Sequence, residues 1–100
     1  MATGADNCAA ILKVLADDTR LAVVRRLMSG PQQVSEINAV LHLEQSLLSH
    51  HLRVLRDAGL VESERDGKAV RYRLAEQVFA DARARDSINL GCCSISFDAR

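Results

Sequence analysis

Past Glu44, Leu48, Leu52 and Leu55 recur at intervals of four and three residues. That spacing gives a helix an apolar stripe that packs inward, with Leu60 closing its end. Gln45, Ser46, Ser49, His50 and Arg53 fall on the opposite side. From Leu60 the pattern changes to strand-like alternation, turns at Asp66-Gly67, a pair suited to a type I′ turn, and returns with Val70, Tyr72 and Leu74 on one face. Arg65, Lys68, Arg71 and Arg73 are left for the tip and the outer face. Upstream, Val34, Ile37, Val40 and Leu41 mark a shorter helix. Ahead of that, Met1 to Asn7 read as a loose end and Ala9 to Ala16 as a short apolar helix. A second helix, capped by Asp17 or Asp18, turns Leu21, Val24, Leu27 and Met28 inward until Gly30-Pro31 stops it. A last helix is expected over about Ala75 to Asn89, with Val78, Phe79, Ala82 and Ile88 as a weak apolar side.

Two short helices joined by a tight turn and followed by a basic hairpin form the layout of a winged helix-turn-helix. The expected fold class is therefore mainly α with a small β-hairpin, and the expected partner is double-stranded DNA. Any solvated helix can show a face like Gln45 to Arg53. The hairpin decides the matter, because a hairpin with its apolar side down and its cations outward can lie along a phosphate backbone. The first and last helices carry small residues and a weak apolar side, which suits close packing against a second subunit. A homodimer through the terminal helices follows, the alternative being a plain surface helix.

Charge changes this picture only locally. Thirteen basic and 13 acidic residues leave no bulk positive field. Residues 50 to 73, however, hold six cations against four anions. Such a modest footprint needs shape fit and two copies to bind well. One hundred residues at 48% apolar content support one core, so residues 1–100 read as a single domain, with its core at about 8–89 and a cysteine-bearing tail at 90–100. Neither a long apolar run nor a charged-then-apolar leader is present, which points to a cytoplasmic protein without a membrane span. No Ser-His-Asp arrangement, glycine-rich phosphate loop or metal-ligand pair on one helix supports catalysis, so the chain does not read as an enzyme.

The stretches LADDTRLAVVRRL (Leu15 to Leu27) and SLLSHHLRVLRDAGLVESERDGKAVRYRL (Ser46 to Leu74) resemble the ArsR/SmtB family of dimeric winged-helix repressors. The similarity covers about residues 8 to 88. It implies a homodimer that sits on a near-palindromic operator and leaves it when a metal, metalloid or oxidant reaches a sensing site. By this resemblance Ser46, Ser49, His50 and Arg53 face DNA beside Gln45, and Lys68 and Arg71 serve the wing. His51 matches the family's histidine before leucine, and a buried residue holding a hydrogen bond suits it better than a base contact. Arg20 matches an arginine that either touches phosphate or bonds the loop ahead of the reading helix. The chain departs from the family pattern at His42, where a glycine is usual in the turn, and at Glu44, where a serine cap is usual. It also carries Gln33 and Ser35 where the arsenic and cadmium box has cysteines, and no histidine follows Ala75 to build the family's zinc site.

Cys8, Cys92 and Cys93 are the only cysteines. An odd count in a cytosolic chain argues against a structural disulfide framework and for metal or redox use. Two adjacent thiols plus a third donor make a site for a soft, thiophilic ion. As(III) is the natural candidate as inducer because it takes three sulfurs in a pyramid, and Sb(III) fits likewise. Gly91 lets the chain turn toward one centre. With Cys8 included, a site bridging two subunits is expected. The bland alternatives are a small core residue for Cys8 and a docking strand for the tail, where Ile95 and Phe97 alternate. The rival function is a redox or persulfide switch without metal, with Cys8 the better disulfide partner because adjacent cysteines close a strained ring. A protein-binding module without DNA contact is disfavoured by Ser49, Arg53 and the wing cations.

Overall fold

A computed structural model describes residues 4–78 and 86–97. In it the chain forms α1 (Gly4–Leu15), α2 (Asp18–Leu27), β1 (Gln32–Gln33), α3 (Val34–Leu41), α4 (Gln45–Asp57), β2 (Val61–Asp66), β3 (Ala69–Leu74), β4 (Ser87–Asn89) and β5 (Ser94–Ser96). This is a helix-rich winged helix-turn-helix, as the apolar periodicity implied. No helix among the described residues is long and apolar enough to cross a membrane.

Local chemistry explains the boundaries. Asp17 is extended, and its carboxylate accepts the Arg20 backbone N–H at 3.0 Å, which starts α2. That hydrogen bond to the charged form holds the Asp17 carboxyl below the usual aspartate range, with the nearby Arg20 guanidinium adding to it. Glu36 reaches back to the Gln33 N–H at 2.7 Å to start α3. At the end of α3, His42 adopts the left-handed conformation (φ 55°) that a glycine would take without strain. The Asn38 amide offsets this by donating to the Leu43 carbonyl at 2.9 Å and accepting the Leu43 N–H at 2.7 Å. The tight turn thus survives without glycine. Glu44 caps α4 by backbone only, with no side-chain cap bond.

The core gathers where these helices cross. Leu48, Leu52 and Leu55 of α4 are at most 1% exposed and meet Val23, Val24 and Leu27 of α2 and Ile37 of α3 in one apolar cluster. Val23 joins the inward set, whereas Leu21 is only half-buried and Val40 lies exposed. The sheet order is β1-β3-β2, antiparallel throughout. Val61, Ser63 and Arg65 oppose Leu74, Tyr72 and Val70 on one face, and Tyr72 and Leu74 are buried. Asp66 pairs with Ala69, so the two-residue turn is Gly67-Lys68 rather than Asp66-Gly67. Gly67 has φ 66° while Lys68 does not enter the positive-φ region, the signature of a type II′ turn instead of type I′.

The ends of the chain differ most from expectation. Helix α1 begins at Gly4, so the loose end does not extend to Asn7, and Cys8 sits inside the helix. Glu76 to Val78 are helical, but Ser87 to Asn89 form a strand, so a helix running to Asn89 is excluded. Phe79 and Ala82 lie outside the described residues. Ile88 and Leu90 stand two apart and are both buried, with Ile95 and Phe97 answering them from the returning strand; a period of two cannot serve a helix stripe. Ile88 pairs with Ile95 across the β4–β5 hairpin. The docking-strand reading of the tail is therefore correct, and it coexists with the thiol cluster described below.

Candidate nucleic-acid interface and thiol site

Gln45, Ser46, Ser49, His50 and Arg53 are all exposed on the side of α4 away from its apolar stripe. An open groove between α3, α4 and the wing is lined by Ser35, Asn38, Gln45, Ser49, Lys68 and Tyr72, so the helix and wing candidates share one surface. The Ser46 hydroxyl donates to Glu44 at 3.2 Å. On the wing the cations divide. Arg71 pairs with Asp66 at 2.8 Å and Arg73 with Glu62 at 3.2 Å, while no ion pair involves Arg65 or Lys68 among the described residues. Arg65 shares a strand face with Val70 and Tyr72 rather than the outer face, because it alternates in step with Val61 and Ser63. Solvated pairs of this kind contribute ~0–1 kcal/mol, so Arg71 can exchange its carboxylate for a phosphate at modest cost.

His51 is 8% exposed and hydrogen-bonded, as expected for a buried helix histidine. Its partner is Arg20. The Arg20 Nη1 lies 3.0 Å from His51 Nδ1, and its Nε donates to the Val14 carbonyl at 2.6 Å. The Arg20 guanidinium thus ties a junction of α1, α2 and α4 rather than the loop ahead of the reading helix.

The three cysteines converge. Cys8 from α1 and Cys92 from the β4–β5 turn are joined in a disulfide, with Cα atoms 5.7 Å apart. The Cys93 sulfur is free, 3.2 Å from Cys8 Sγ and 3.9 Å from Cys92 Sγ. All three sulfurs lie within 4.8 Å of one another in one chain, so no second subunit is needed to assemble them. Gly91, with φ 90°, makes the turn that presents the sulfurs of Cys92 and Cys93. The Leu90 N–H donates to the Cys93 carbonyl at 2.8 Å and closes that turn. Two thiolates on one metal at ~2.3 Å each stand a little under 4 Å apart, so reduced sulfurs here are within reach of a shared soft ion. Cys92 is exposed and the other two are half-buried, leaving the cluster open to solvent. The hairpin is anchored beneath it by buried Ile88, Leu90 and Phe97, and Arg25 of α2 lies 4.7 Å over the Phe97 ring.

Residues 17–63 match the family model for bacterial regulatory proteins of the arsR family. The transcriptional repressor SmtB of Mycobacterium tuberculosis is 40% identical over 75% of this chain. The chain belongs to the arsR family. It spans just over half the length of the curated relatives it matches, 56% of that SmtB and 59% of the Escherichia coli arsenical resistance operon repressor, which is 38% identical over 68% of the chain. Among solved structures, the homodimeric winged helix-turn-helix DNA-binding domain Mb0332 from Mycobacterium bovis superposes with a TM-score of 0.70 at 32% identity. That likeness covers 79% of this chain and 73% of the other. The family match runs from Asp17 to Ser63, through α2, α3 and α4 into β2, and all three cysteines fall outside it. The family-matched scaffold and the candidate sensing site are thus separate parts of the arsR-family chain.

Proposed function

We propose that this chain is one subunit of a homodimeric transcriptional repressor that binds operator DNA through Gln45, Ser46, Ser49, His50 and Arg53 of α4 and through Lys68 and Arg71 of the wing. Release is controlled at Cys8, Cys92 and Cys93, with As(III) as the favoured inducer. The observation that carries this reading is the gathering of three sulfurs, two of them 84 residues apart in sequence, within 4.8 Å at the junction of α1 and the terminal hairpin. Three thiolates and an open approach suit a soft trivalent ion, which supplies a covalent tie among all three sulfurs.

In the ligand-free dimer the two reading helices sit about one duplex turn apart, roughly 34 Å, in successive major grooves. Drawing Cys92 and Cys93 toward Cys8 shifts the hairpin against α1 and thereby the packing of the terminal segments between subunits. A 100-fold loss of operator affinity requires only about 2.7 kcal/mol of coupling per dimer, an ordinary size for allostery.

The Cys8–Cys92 disulfide favours a second reading, in which the same residues form a redox switch. Two thiols then become one disulfide, and two electrons and two protons pass to a peroxide-class oxidant. Counting free thiols separates the two. Fully reduced protein that loses three titratable thiols on addition of one equivalent of arsenite supports the ion site. Indifference to arsenite together with loss of two thiols to peroxide supports the switch.

A further inference from the structure

The reading helix is held by an apolar stripe that is nearly featureless along its length. Leu48, Leu52 and Leu55 bury against α2 and α3, but contacts between aliphatic side chains have little directional preference. A reading helix needs more than burial, because its roll and its position along its axis decide which side chains reach base edges. His51 is the one polar residue in the buried set of this helix.

The contact His51 makes is directional. A guanidinium carries only donors, so Nδ1 of His51 must accept from Arg20, and the ring proton belongs on Nε2. Arg20 is itself fixed on two sides. Asp17 holds its backbone N–H, and its Nε satisfies the Val14 carbonyl, one of the last-turn acceptors that α1 cannot pair internally. A cation at that helix end also suits the α1 dipole. The guanidinium therefore locks the end of α1, the start of α2 and the middle of α4 in one geometry. His51 sits beside exposed His50, the two rings 5.5 Å apart, and between the DNA-facing candidates Ser49 and Arg53.

We propose that Arg20 is a positioning residue for operator recognition, setting the pose of α4 through its hydrogen bond to His51 Nδ1. This inference rests on the DNA-binding reading above. Neither residue needs to touch DNA. Sequence-independent binding, which depends on phosphate charge, is insensitive to the tie, whereas discrimination of the operator depends on it.

The test uses the reduced chain of residues 1–100, a duplex from upstream of its own coding region and a scrambled duplex of equal length. His51→Leu extends the apolar stripe and keeps the fold, which the thermal midpoint verifies. A loss of about tenfold or more on the upstream duplex with unchanged affinity for the scrambled one is expected. His51→Asn, whose amide oxygen can replace the Nδ1 acceptor, restores part of that loss. Arg20→Lys, which cannot serve Val14 and His51 from one planar fork, behaves like His51→Leu. Ring nitrogen shifts in the wild type should show His51 protonated at Nε2 and not at Nδ1. Full discrimination in both His51→Leu and Arg20→Lys, or an Nδ1-protonated His51, overturns the inference and leaves the DNA-binding reading standing. Equal affinity of the wild type for the two duplexes overturns that reading and the inference with it.

Discussion

The middle of this chain and its two ends solve different problems. Residues 34 to 74 form a candidate reading unit in which five polar candidates stand on α4, Lys68 at the wing turn and Arg71 on β3. The sensing candidates stand on two elements far apart in sequence, α1 and the β4–β5 turn, and meet only because Ile88, Leu90 and Phe97 dock the hairpin onto the core. A rigid surface preserves recognition, while a cluster bridging two separately anchored elements can register a change in their spacing. Under the proposed function, binding and response should therefore be separable by mutation.

The largest effect is expected beneath the reading unit. Leu52 is 1% exposed at the centre of the stripe, and Leu52→Ala should cost about 2–5 kcal/mol in urea unfolding. It should weaken operator binding as well, since the helix loses its seat. Replacing both Cys92 and Cys93 by serine should instead remove all of the arsenite response, about 2.7 kcal/mol on a 100-fold release, with operator affinity intact. Operator binding lost together with the response in that variant would mean the ends are part of the binding scaffold, and the division between regions would fail.

Smaller effects sharpen the division within the reading unit. Lys68 has no ion partner among the described residues, whereas Arg71 is paired with Asp66. Lys68→Ala should lower the salt slope of DNA binding by about one per subunit, with Arg71→Ala doing less because Asp66 is released at the same time. The smallest is at the α2 cap, where Asp17→Ala should cost about 1 kcal/mol. Because the folded carboxyl titrates below its unfolded value near about 3.9, the cap contributes fully above that pH and fades as the pH falls through the lower folded value. Wild type and Asp17→Ala should therefore converge in stability in strong acid, which a urea series at several pH values checks.

The reading unit was largely legible in the sequence because its signals are local. Leu48, Leu52 and Leu55 state a helical period, and Val70, Tyr72 and Leu74 a strand period. The turn was misplaced by one residue, since Asp66-Gly67 and Gly67-Lys68 both offer a glycine and only the pairing of Asp66 with Ala69 selects between them. His42 was recognisable as a strained turn residue, but not the Asn38 amide that holds the turn, whose two bonds span five residues. At the ends the signals conflict. The alanine-rich run after Leu74 suggests a helix, and the period of two in Ile88 and Leu90 is too short to overrule it without the partner strand. The number and type of the cysteines suggested a shared thiol site, and the structure gathers all three sulfurs. Their meeting within one chain was not legible, because it depends on the hairpin that the helix reading had hidden.

The most direct test of the account is an anisotropy titration of reduced protein against the DNA upstream of its own coding region, at fixed salt, with and without equimolar arsenite. The account predicts sequence-dependent binding that arsenite weakens about 100-fold in the wild type and leaves untouched in the Cys92→Ser, Cys93→Ser variant. Release of wild type and variant alike, or binding that arsenite does not alter in either, would contradict it.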